Sequence, residues 1–485
     1  MTEFIIIPAL PEIFLALAIM VLVIIGVFKI SHGDGKKRAF LYKLTMIFLI
    51  ITGVLVFYGD HGTPEVAMGG MFILDKFAVF VKIVILAAAV FVLTMSFDTL
   101  RLKEKPCFEF SILLALSVCG MMVMVSANDL MSLYMGLELQ SLSLYVMTAL
   151  NRTNEKSSEA ALKYFMLGAL ASGILLYGCS LIYGFSGTTN FTRLEAIYGS
   201  DVAGEISIGA LMGLILVIVG LCFKVSAVPF HMWTPDVYEG ASKQVTAFFA
   251  TAPKVAALAL FVRFTSQPFG GLLPEWQQVV IFVAIASMIV GSFGALAQHN
   301  IKRLIAYSSI GHAGFILIGL AAGNSEGVQA SLIYMAIYMM MNIGVFACIL
   351  LMKRHDEHVE KISDLSGLNR TNPMFAFVMA VLMFSMAGVP PMAGFFGKFF
   401  VLKAALHSEL YGLAITGVLA SVVSAYYYLR VIKIMYFDPT KDPLDKEAGR
   451  ETKIVVLVAG LLNLIFFIFP APLFDAAKLA AESLM

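Results

Sequence analysis

The chain has 485 residues, of which 60% are hydrophobic and only 13% are charged, and its formal net charge is +1. An ordinary soluble domain is about half apolar and about a quarter charged, so this composition excludes a soluble globular protein. The charge also argues against a nucleic-acid partner, because neutralising phosphates requires a basic domain.

Apolar runs of about 18 to 25 residues recur along the whole chain, which is the length of transmembrane helices. We therefore predict an all-α polytopic membrane protein with about 14 transmembrane helices. The predicted spans are roughly 4–28, 39–58, 73–97, 107–126, 129–150, 160–184, 207–228, 243–263, 277–297, 302–322, 326–352, 373–401, 409–436 and 453–473. Five cysteines have no metal-type or redox-type spacing, and we expect them to be inert packing residues: Cys107, Cys119, Cys179, Cys222 and Cys348.

The connecting loops predict the topology, because cytoplasmic loops carry an excess of Lys and Arg. Loops after the odd-numbered spans hold about 24 of the 33 Lys and Arg residues, and the other side holds about five. Both termini are therefore predicted to lie on the outer, periplasmic side. Four lysines remain inside the spans: Lys82, Lys224, Lys254 and Lys398.

Lys224 and Lys254 lie deep inside apolar runs. An ammonium at the bilayer centre costs about 3 kcal/mol on insertion scales, so such groups are interpreted by default as parts of an ion path. The alternative is that each lysine extends its side chain to the membrane interface. Lys82 stands only a turn or two inside span 3, and for this residue we expect the second behaviour.

Two spans are interrupted in a similar way. Span 7 ends in Lys224-Val-Ser-Ala-Val-Pro229, and span 12 contains Pro390 and Pro391 ahead of Lys398. Proline removes a backbone donor and frees carbonyls to face a cavity. Spans 7 and 12 are five helices apart and so cross in opposite senses, which is typical of inverted-repeat transporters. The alternative is that these prolines are ordinary features of membrane helices.

This pattern predicts four parts of the chain. They are three N-terminal helices (1–106), a first inverted five-helix repeat (107–265), a second inverted repeat (266–436) and a C-terminal helix (437–485). Pro253, immediately before Lys254, is expected to kink span 8.

Glu138 supplies a negative charge about ten residues into the otherwise uncharged span 5. At about 4 Å and an effective dielectric near 20, an ion pair with Lys224 gains roughly 4 kcal/mol, so opening and closing the pair would control a proton on the lysine. The alternative is a static buried pair that fixes helix register.

Three further residues are candidates to connect the lysines. His231 lies in the break of span 7 and His312 in span 10, and histidine titrates near neutral pH. Each is equally compatible with a packing role. Lys163 begins span 6 on the basic side, where it is either a proton entry group or a headgroup anchor.

The sequence contains no glycine-rich phosphate loop, no cysteine cluster and no paired histidines at haem or metal spacing. We therefore expect no cofactor on this chain and an energy source in an ion gradient or a partner subunit.

Five stretches stand out together: GLCFKVSAVPFHMWTPDVYEGAS, TAPKVAALALFVRF, LMSLYMGLELQSLSLYVM, QHNIKRLIAYSSIGHAGFILIGLA and SMAGVPPMAGFFGKFFVL. With them the chain resembles the antiporter-like membrane subunits of respiratory complex I, the NADH:quinone oxidoreductase, from about residue 70 to 436. Within that family it is most similar to the branch that keeps a lysine in the second break, Lys398, where a sister subunit has glutamate.

The resemblance implies a 14-helix bundle with inverted five-helix repeats and a function in proton translocation. It implies a proton path through Glu138, Lys224, Lys254 and Lys398, with His231, His312 and Lys163 as connecting residues. It also implies that NADH, FMN, iron–sulfur clusters and quinone are bound by partner subunits.

The implied partners are other membrane-arm subunits, including sister antiporter-like subunits, together with membrane lipids. The implied location is a bacterial inner membrane, or the mitochondrial inner membrane if the gene belongs to an organelle. Two alternatives remain open at this point. One is a subunit of an Mrp-type monovalent cation/proton antiporter, and the other is a purely structural scaffold whose buried charges carry nothing.

Overall fold

The structure is a computed structural model that describes residues 6–29, 35–59, 62–101, 108–151, 153–199, 206–354, 357–440, 442–445 and 449–485. These residues form twenty α-helices: α1 (Leu10–Lys29), α2 (Gly35–Tyr58), α3 (Lys76–Arg101), α4 (Glu109–Val125), α5 (Leu130–Thr148), α6 (Glu155–Ser186), α7 (Phe191–Tyr198), α8 (Ile208–Val225), α9 (Trp233–Gly240), α10 (Lys243–Phe249), α11 (Ala252–Ser266), α12 (Leu273–Leu296), α13 (Ile301–Ala321), α14 (Ser325–Leu351), α15 (Leu368–Thr371), α16 (Pro373–Ala387), α17 (Ala393–His407), α18 (Tyr411–Phe437), α19 (Arg450–Ile465) and α20 (Ala471–Glu482).

Other regular structure is confined to short connections. Two antiparallel strand pairs are formed by β1 (Glu65–Ala67) with β2 (Phe72–Leu74), and by β3 (Lys353–Arg354) with β4 (Glu357–His358). Short 3₁₀ turns occupy Ile7–Ala9, Met68–Gly70, Gly270–Leu272 and Ile362–Leu365. The prediction of an all-α membrane protein is confirmed.

Every predicted span lies on a helix or on a broken pair of helices. Among the described residues, ten helical segments are long and apolar enough to cross a membrane. The predicted spans outside these ten correspond to α4, α5, the broken pair α16 and α17, and α19. All of these helices except α5 are short, with 17 residues in α4, 15 in each of α16 and α17, and 16 in α19. The count of fourteen therefore stays a prediction.

The last predicted span, 453–473, is wrong as a single helix. Helix α19 ends at Ile465, and α20 begins at Ala471 after a turn. Pro470 and Pro472 explain the restart, because proline fits the first turn of a helix and cannot continue one. Helix α20 packs on α3 and α14, and Ser483 just beyond its end accepts a hydrogen bond from the Phe77 backbone N–H at 3.1 Å.

A repeat is visible in how the helices approach each other. A Cβ atom added to Gly120 on α4 would lie 2.7 Å from the Gly136 carbonyl oxygen on α5, and one added to Gly291 on α12 would lie 2.8 Å from the Tyr307 carbonyl oxygen on α13. The second pair follows the first by 171 residues at both positions. The same offset relates two isolated backbone bridges, Asp129 with Asn190 and Asn300 with Lys361. The close approach of backbones in both halves supports the predicted five-helix repeats.

The prediction for Lys82 is wrong. Its side chain is fully buried and its Nζ lies 2.5 Å from Glu12 Oε1 on α1, instead of extending to the interface. The ammonium also lies 4.8 Å from the centre of the Phe72 ring. A second buried pair joins Arg263 at the end of α11 to Asp75 just before α3, with a 2.7 Å contact. A buried lysine is tolerated in the bundle where another helix supplies the carboxylate.

The four cysteines among the described residues are buried, and none of them is in a disulfide bond. This agrees with the prediction that they are packing residues. Cys107 lies outside the described residues.

Candidate functional site

Lys224 lies in the last turn of α8, just before the predicted break. The helix ends at Val225 because Ser226 adopts a left-handed conformation with a φ of 64°. The Lys224 ammonium donates to Ser141 Oγ on α5 at 2.8 Å and to Ser172 Oγ on α6 at 3.3 Å. The side chain therefore binds hydroxyl groups inside the bundle.

Glu138 lies one turn from Ser141 on the same face of α5. Among the described residues, no direct ion pair joins Glu138 to Lys224, whose ammonium donates to Ser141 and Ser172. One carboxylate oxygen of Glu138 is buried without a hydrogen-bond partner among the described residues. The acid and the base therefore lie near each other, and the ion pair between them stays a prediction.

The kink predicted at Pro253 is present, and it divides span 8 into two helices. Helix α10 ends at Phe249, Thr251 is not helical, and Pro253 lies in the first turn of α11. Lys254 therefore stands at the start of a new helix. Its buried ammonium donates to Ser309 Oγ on α13 at 2.6 Å and lies 5.5 Å from the centre of the Tyr238 ring.

His312 is the centre of a buried hydrogen-bond network beside Lys254. Its Nδ1 lies 2.8 Å from the Tyr334 hydroxyl on α14, and its Nε2 lies 3.0 Å from the Tyr428 hydroxyl on α18. Tyr428 also hydrogen-bonds to Ser308, the neighbour of Ser309. A neutral imidazole has one donor and one acceptor nitrogen, so one tyrosine donates to the ring and the other accepts from it.

Lys398 follows the second break. Helix α16 ends at Ala387 before Gly388, whose φ is 85°, and α17 starts at Ala393. The Lys398 ammonium reaches back to the Ala387 carbonyl oxygen at 2.9 Å and to Ser421 Oγ on α18 at 2.9 Å. A carbonyl freed by the proline break therefore binds the lysine, where the sequence predicted only that such carbonyls face a cavity.

Two of the sequence candidates lie apart from these contacts. His231 is half-buried in the turn between α8 and α9, and its Nδ1 has no hydrogen-bond partner among the described residues. Lys163 on α6 pairs with Asp236 at 2.8 Å and with Glu159 at 2.7 Å, and its side chain is 42% exposed.

The sequence prediction named the charged groups and missed the groups that bind them. The hydroxyl partners that it missed are Ser141, Ser172, Ser309, Ser421, Tyr334 and Tyr428. A signal was available for the tyrosines, because a phenol inside an apolar span needs a polar partner for its hydroxyl. Serine gives no such signal, since it commonly bonds back to its own helix.

The fold and the site define a helical membrane protein of the antiporter-like class, with lysines at helix breaks. Residues 127–424 match the family model described as NADH:quinone oxidoreductase/Mrp antiporter. In solved structures, a chain of the Mrp complex from Dietzia sp. DQ12-45-1b has the same fold, with a TM-score of 0.87 at 21% identity, covering 99% of this chain and 98% of that one.

Relatives of higher sequence identity identify the particular family within this class. NADH-quinone oxidoreductase subunit N of Parvibaculum lavamentivorans is 52% identical over 99% of this chain and 97% of its own length. A chain of respiratory complex I from Thermus thermophilus is 30% identical, with a TM-score of 0.81 and coverage of 96% of this chain and 98% of that chain. The chain therefore belongs to the family of NADH-quinone oxidoreductase subunit N, which confirms the resemblance drawn from the sequence.

Proposed function

We propose that this chain is a proton-translocating subunit of the membrane arm of NADH:quinone oxidoreductase. Electron transfer from NADH to quinone takes place on partner subunits that carry FMN, iron–sulfur clusters and the quinone site. The energy released there moves protons through Glu138, Lys224, Lys254, His312 and Lys398 of this chain. Membership of the subunit N family supports the assembly, and the contacts of the lysines support the path.

The observation that carries this proposal is the set of three lysines next to helix breaks, each bonded to a hydroxyl group on a different helix. An ammonium only donates, whereas a hydroxyl donates and accepts, so each contact can pass a proton onward. Keeping three cations within apolar spans is costly, and a static structural role does not require it.

The acid at the first break gives this arrangement a control point. Glu138 Oε1 has no hydrogen-bond partner in the part of the chain that the structure describes, so this oxygen is available to Lys224. At about 4 Å the pair would gain roughly 4 kcal/mol at an effective dielectric near 20. Bringing the two groups together would hold the proton on Lys224, and separating them would release it towards Lys254.

Several wider features belong to the same proposal. The two repeats are 107–265 and 266–436, flanked by 1–106 and 437–485, and both termini face the periplasmic side of a bacterial inner membrane. His231, in the first break, connects Lys224 to the rest of the path. The partners are the other membrane-arm subunits and membrane lipids.

The test is proton pumping by vesicles that carry the assembled complex with Lys224→Ala, with NADH:quinone turnover followed in the same sample. We expect pumping and quinone-linked turnover to fall by about tenfold or more, since proton transfer by a positioned group contributes about 10²- to 10⁴-fold. NADH oxidation by an artificial electron acceptor should remain. An unchanged proton yield per turnover would contradict the proposal and leave the chain a scaffold.

The matched control is the double variant Glu12→Met with Lys82→Met. It removes another buried lysine together with its carboxylate partner, away from the proposed path. Replacing both partners of a buried pair is often tolerated, so this variant should pump normally.

The second candidate is a monovalent cation/proton antiporter subunit, which the shared family model favours. Ion exchange measured in the same vesicles distinguishes this candidate from the proposed function. An antiporter exchanges Na⁺ or K⁺ for protons without NADH, whereas the proposed function gives no such exchange without electron transfer.

A further inference from the structure

We propose that two carboxylates of α9, Asp236 and Glu239, form an electrostatic clasp between the two halves of the molecule, and that Lys163 is a fixed cation of this clasp and not a proton carrier. We call the group of Lys156, Lys163, Asp236, Glu239 and Arg303 the α9 clasp. This inference rests on the proposed function, because the clasp positions the helix breaks that carry its lysines.

The two carboxylates bridge α6 on one side and α13 on the other. Asp236 Oδ2 contacts Lys163 Nζ at 2.8 Å, and its Oδ1 contacts Arg303 Nη1 at 2.9 Å. Glu239 repeats the pattern, with Lys156 Nζ at 3.1 Å and Arg303 Nη1 at 3.0 Å. Because the two acids are three residues apart on one helix face, Arg303 contacts both of them. Helix α6 belongs to the first proposed repeat and α13 to the second, so the clasp joins the repeats.

The backbone of α9 is bound at the same place. Lys302, beside Arg303, donates to the Glu239 carbonyl oxygen at 2.6 Å and pairs with Glu360 at 2.8 Å. At the other end of α9, Trp233 Nε1 donates to the Phe223 carbonyl oxygen at 3.1 Å. Its indole stacks on Tyr164 of α6 with 4.6 Å between ring centres. Helix α9 is therefore held along its whole length.

The position of α9 in the chain gives the clasp its role. Helix α9 follows the break after Lys224 and leads through α10 to the break before Lys254. A movement of α6 against α13 must therefore displace the segment that connects these two lysines. The clasp sets their relative position, and Asp236 and Glu239 are positioning residues for the proposed path.

The contacts of Lys163 favour a permanent charge. Its ammonium is bonded to two carboxylates, and an opposite charge on each side stabilises the protonated form. Its partners, Glu159 and Asp236, are carboxylates, whereas the partners of Lys224 are the hydroxyl groups of Ser141 and Ser172. Losing its proton would break both ion pairs of Lys163.

The acids of the clasp are charged at neutral pH. Burial alone would raise the pKa of Asp236, but hydrogen bonds from Lys163 and Arg303 outweigh it and hold the pKa below its ordinary value. The pKa of Glu239 is lowered in the same way, by Arg303 and Lys156 against burial. The ion pairs of the clasp are therefore intact at pH values above the ordinary pKa of a carboxyl group. They break only as the pH falls below that value.

The deciding variants are Lys163→Arg and Lys163→Gln in the assembled complex, measured as protons translocated per NADH oxidised. Arginine keeps the positive charge and cannot release a proton in a protein. We expect Lys163→Arg to keep the wild-type proton yield and Lys163→Gln to lower it by about threefold, in the range of a modest loss of coupling between sites. Asp236→Asn should lower it to a similar extent.

Two results would overturn the proposal. If Lys163→Arg loses pumping as completely as Lys163→Gln, Lys163 has to release a proton and is a carrier. If Asp236→Asn keeps the wild-type proton yield, the clasp does not position the path. Should Lys163→Gln fail to assemble, the arginine variant alone decides between carrier and fixed cation.

Two controls separate this proposal from the proposed function. Lys433→Gln removes a surface lysine paired with Asp438 at 2.5 Å outside the clasp, and it should have no effect. Lys224→Ala in the same vesicles tests the path itself. Normal pumping by Lys224→Ala would contradict the path, whereas loss of pumping by both Lys224→Ala and Lys163→Arg would contradict only the clasp.

Discussion

The two helix breaks place their lysines in different ways. Lys224 precedes its break, in the last turn of α8, and its ammonium binds serines of α5 and α6. Lys398 follows its break, in the second turn of α17, and its ammonium binds the carbonyl oxygen at the end of α16. In both cases the cation lies at the carboxyl end of a half-helix, where the helix dipole is negative.

The difference between the breaks concerns the neighbouring charge. The first break has a carboxylate nearby, Glu138, one turn from the serine that binds Lys224. The repeat offset of 171 residues places Ser309 in the second half where the first half has Glu138, and His312 where it has Ser141. The first half therefore contains a carboxylate near its lysine, and the second half contains hydroxyl groups and an imidazole at the corresponding positions.

This comparison predicts that acid removal affects only the first break. Glu138→Gln removes the charge and keeps the shape, so we expect pumping to fall by about tenfold or more, because the lost Coulomb energy is of order 4 kcal/mol.

Ser421→Ala at the second break removes one of the two partners of Lys398. We expect it to lower pumping by about twofold to tenfold, because one hydrogen bond contributes about 0.5–1.5 kcal/mol. Proton yields of vesicles with the assembled complex measure both. A larger loss in Ser421→Ala than in Glu138→Gln would contradict the assignment of control to the first break.

The second break also depends on a glycine. A Cβ atom at Gly388 would lie 2.8 Å from Lys398 Cδ, and the φ of 85° is left-handed. We expect Gly388→Ala to destabilise the subunit by about 1–2 kcal/mol, the cost of a left-handed alanine, and to displace Lys398. Thermal unfolding of the purified complex and its pumping check this. Gly412→Ala on α18 is the control, because its Cβ would meet nothing within 4 Å, and it should not lower stability.

The first break also has a left-handed residue just after its half-helix, Ser226, and replacing it has the smallest predicted effect. Ser226 has a φ of 64° and a buried hydroxyl without a partner among the described residues. Ser226→Gly removes about 1–2 kcal/mol of backbone strain, less about 0.5–1 kcal/mol of added chain entropy, and should stabilise the subunit by about 0.5 kcal/mol. The same unfolding measurement detects it. A loss of stability would show that the Ser226 hydroxyl is bound in the assembled complex.

Local sequence was sufficient to predict both breaks. Proline removes a donor and clashes with the preceding turn wherever it lies, so Pro229, Pro390 and Pro253 marked interruptions without knowledge of the fold. The cost of an ammonium within an apolar run is equally local, and it identified Lys224, Lys254 and Lys398.

Tertiary structure decided which groups these lysines contact. The partners of Lys224 lie 52 and 83 residues away in the chain, and Tyr428 lies 116 residues from His312. Lys82 shows most clearly where prediction from local sequence fails. Its position near the end of span 3 suggested an interfacial residue, whereas Glu12 on another helix keeps it buried. A sequence determines the energetic cost of a buried charge and of a missing backbone donor, since both arise within one helix. Which hydroxyl, carbonyl or carboxylate offsets that cost depends on how the helices pack against one another.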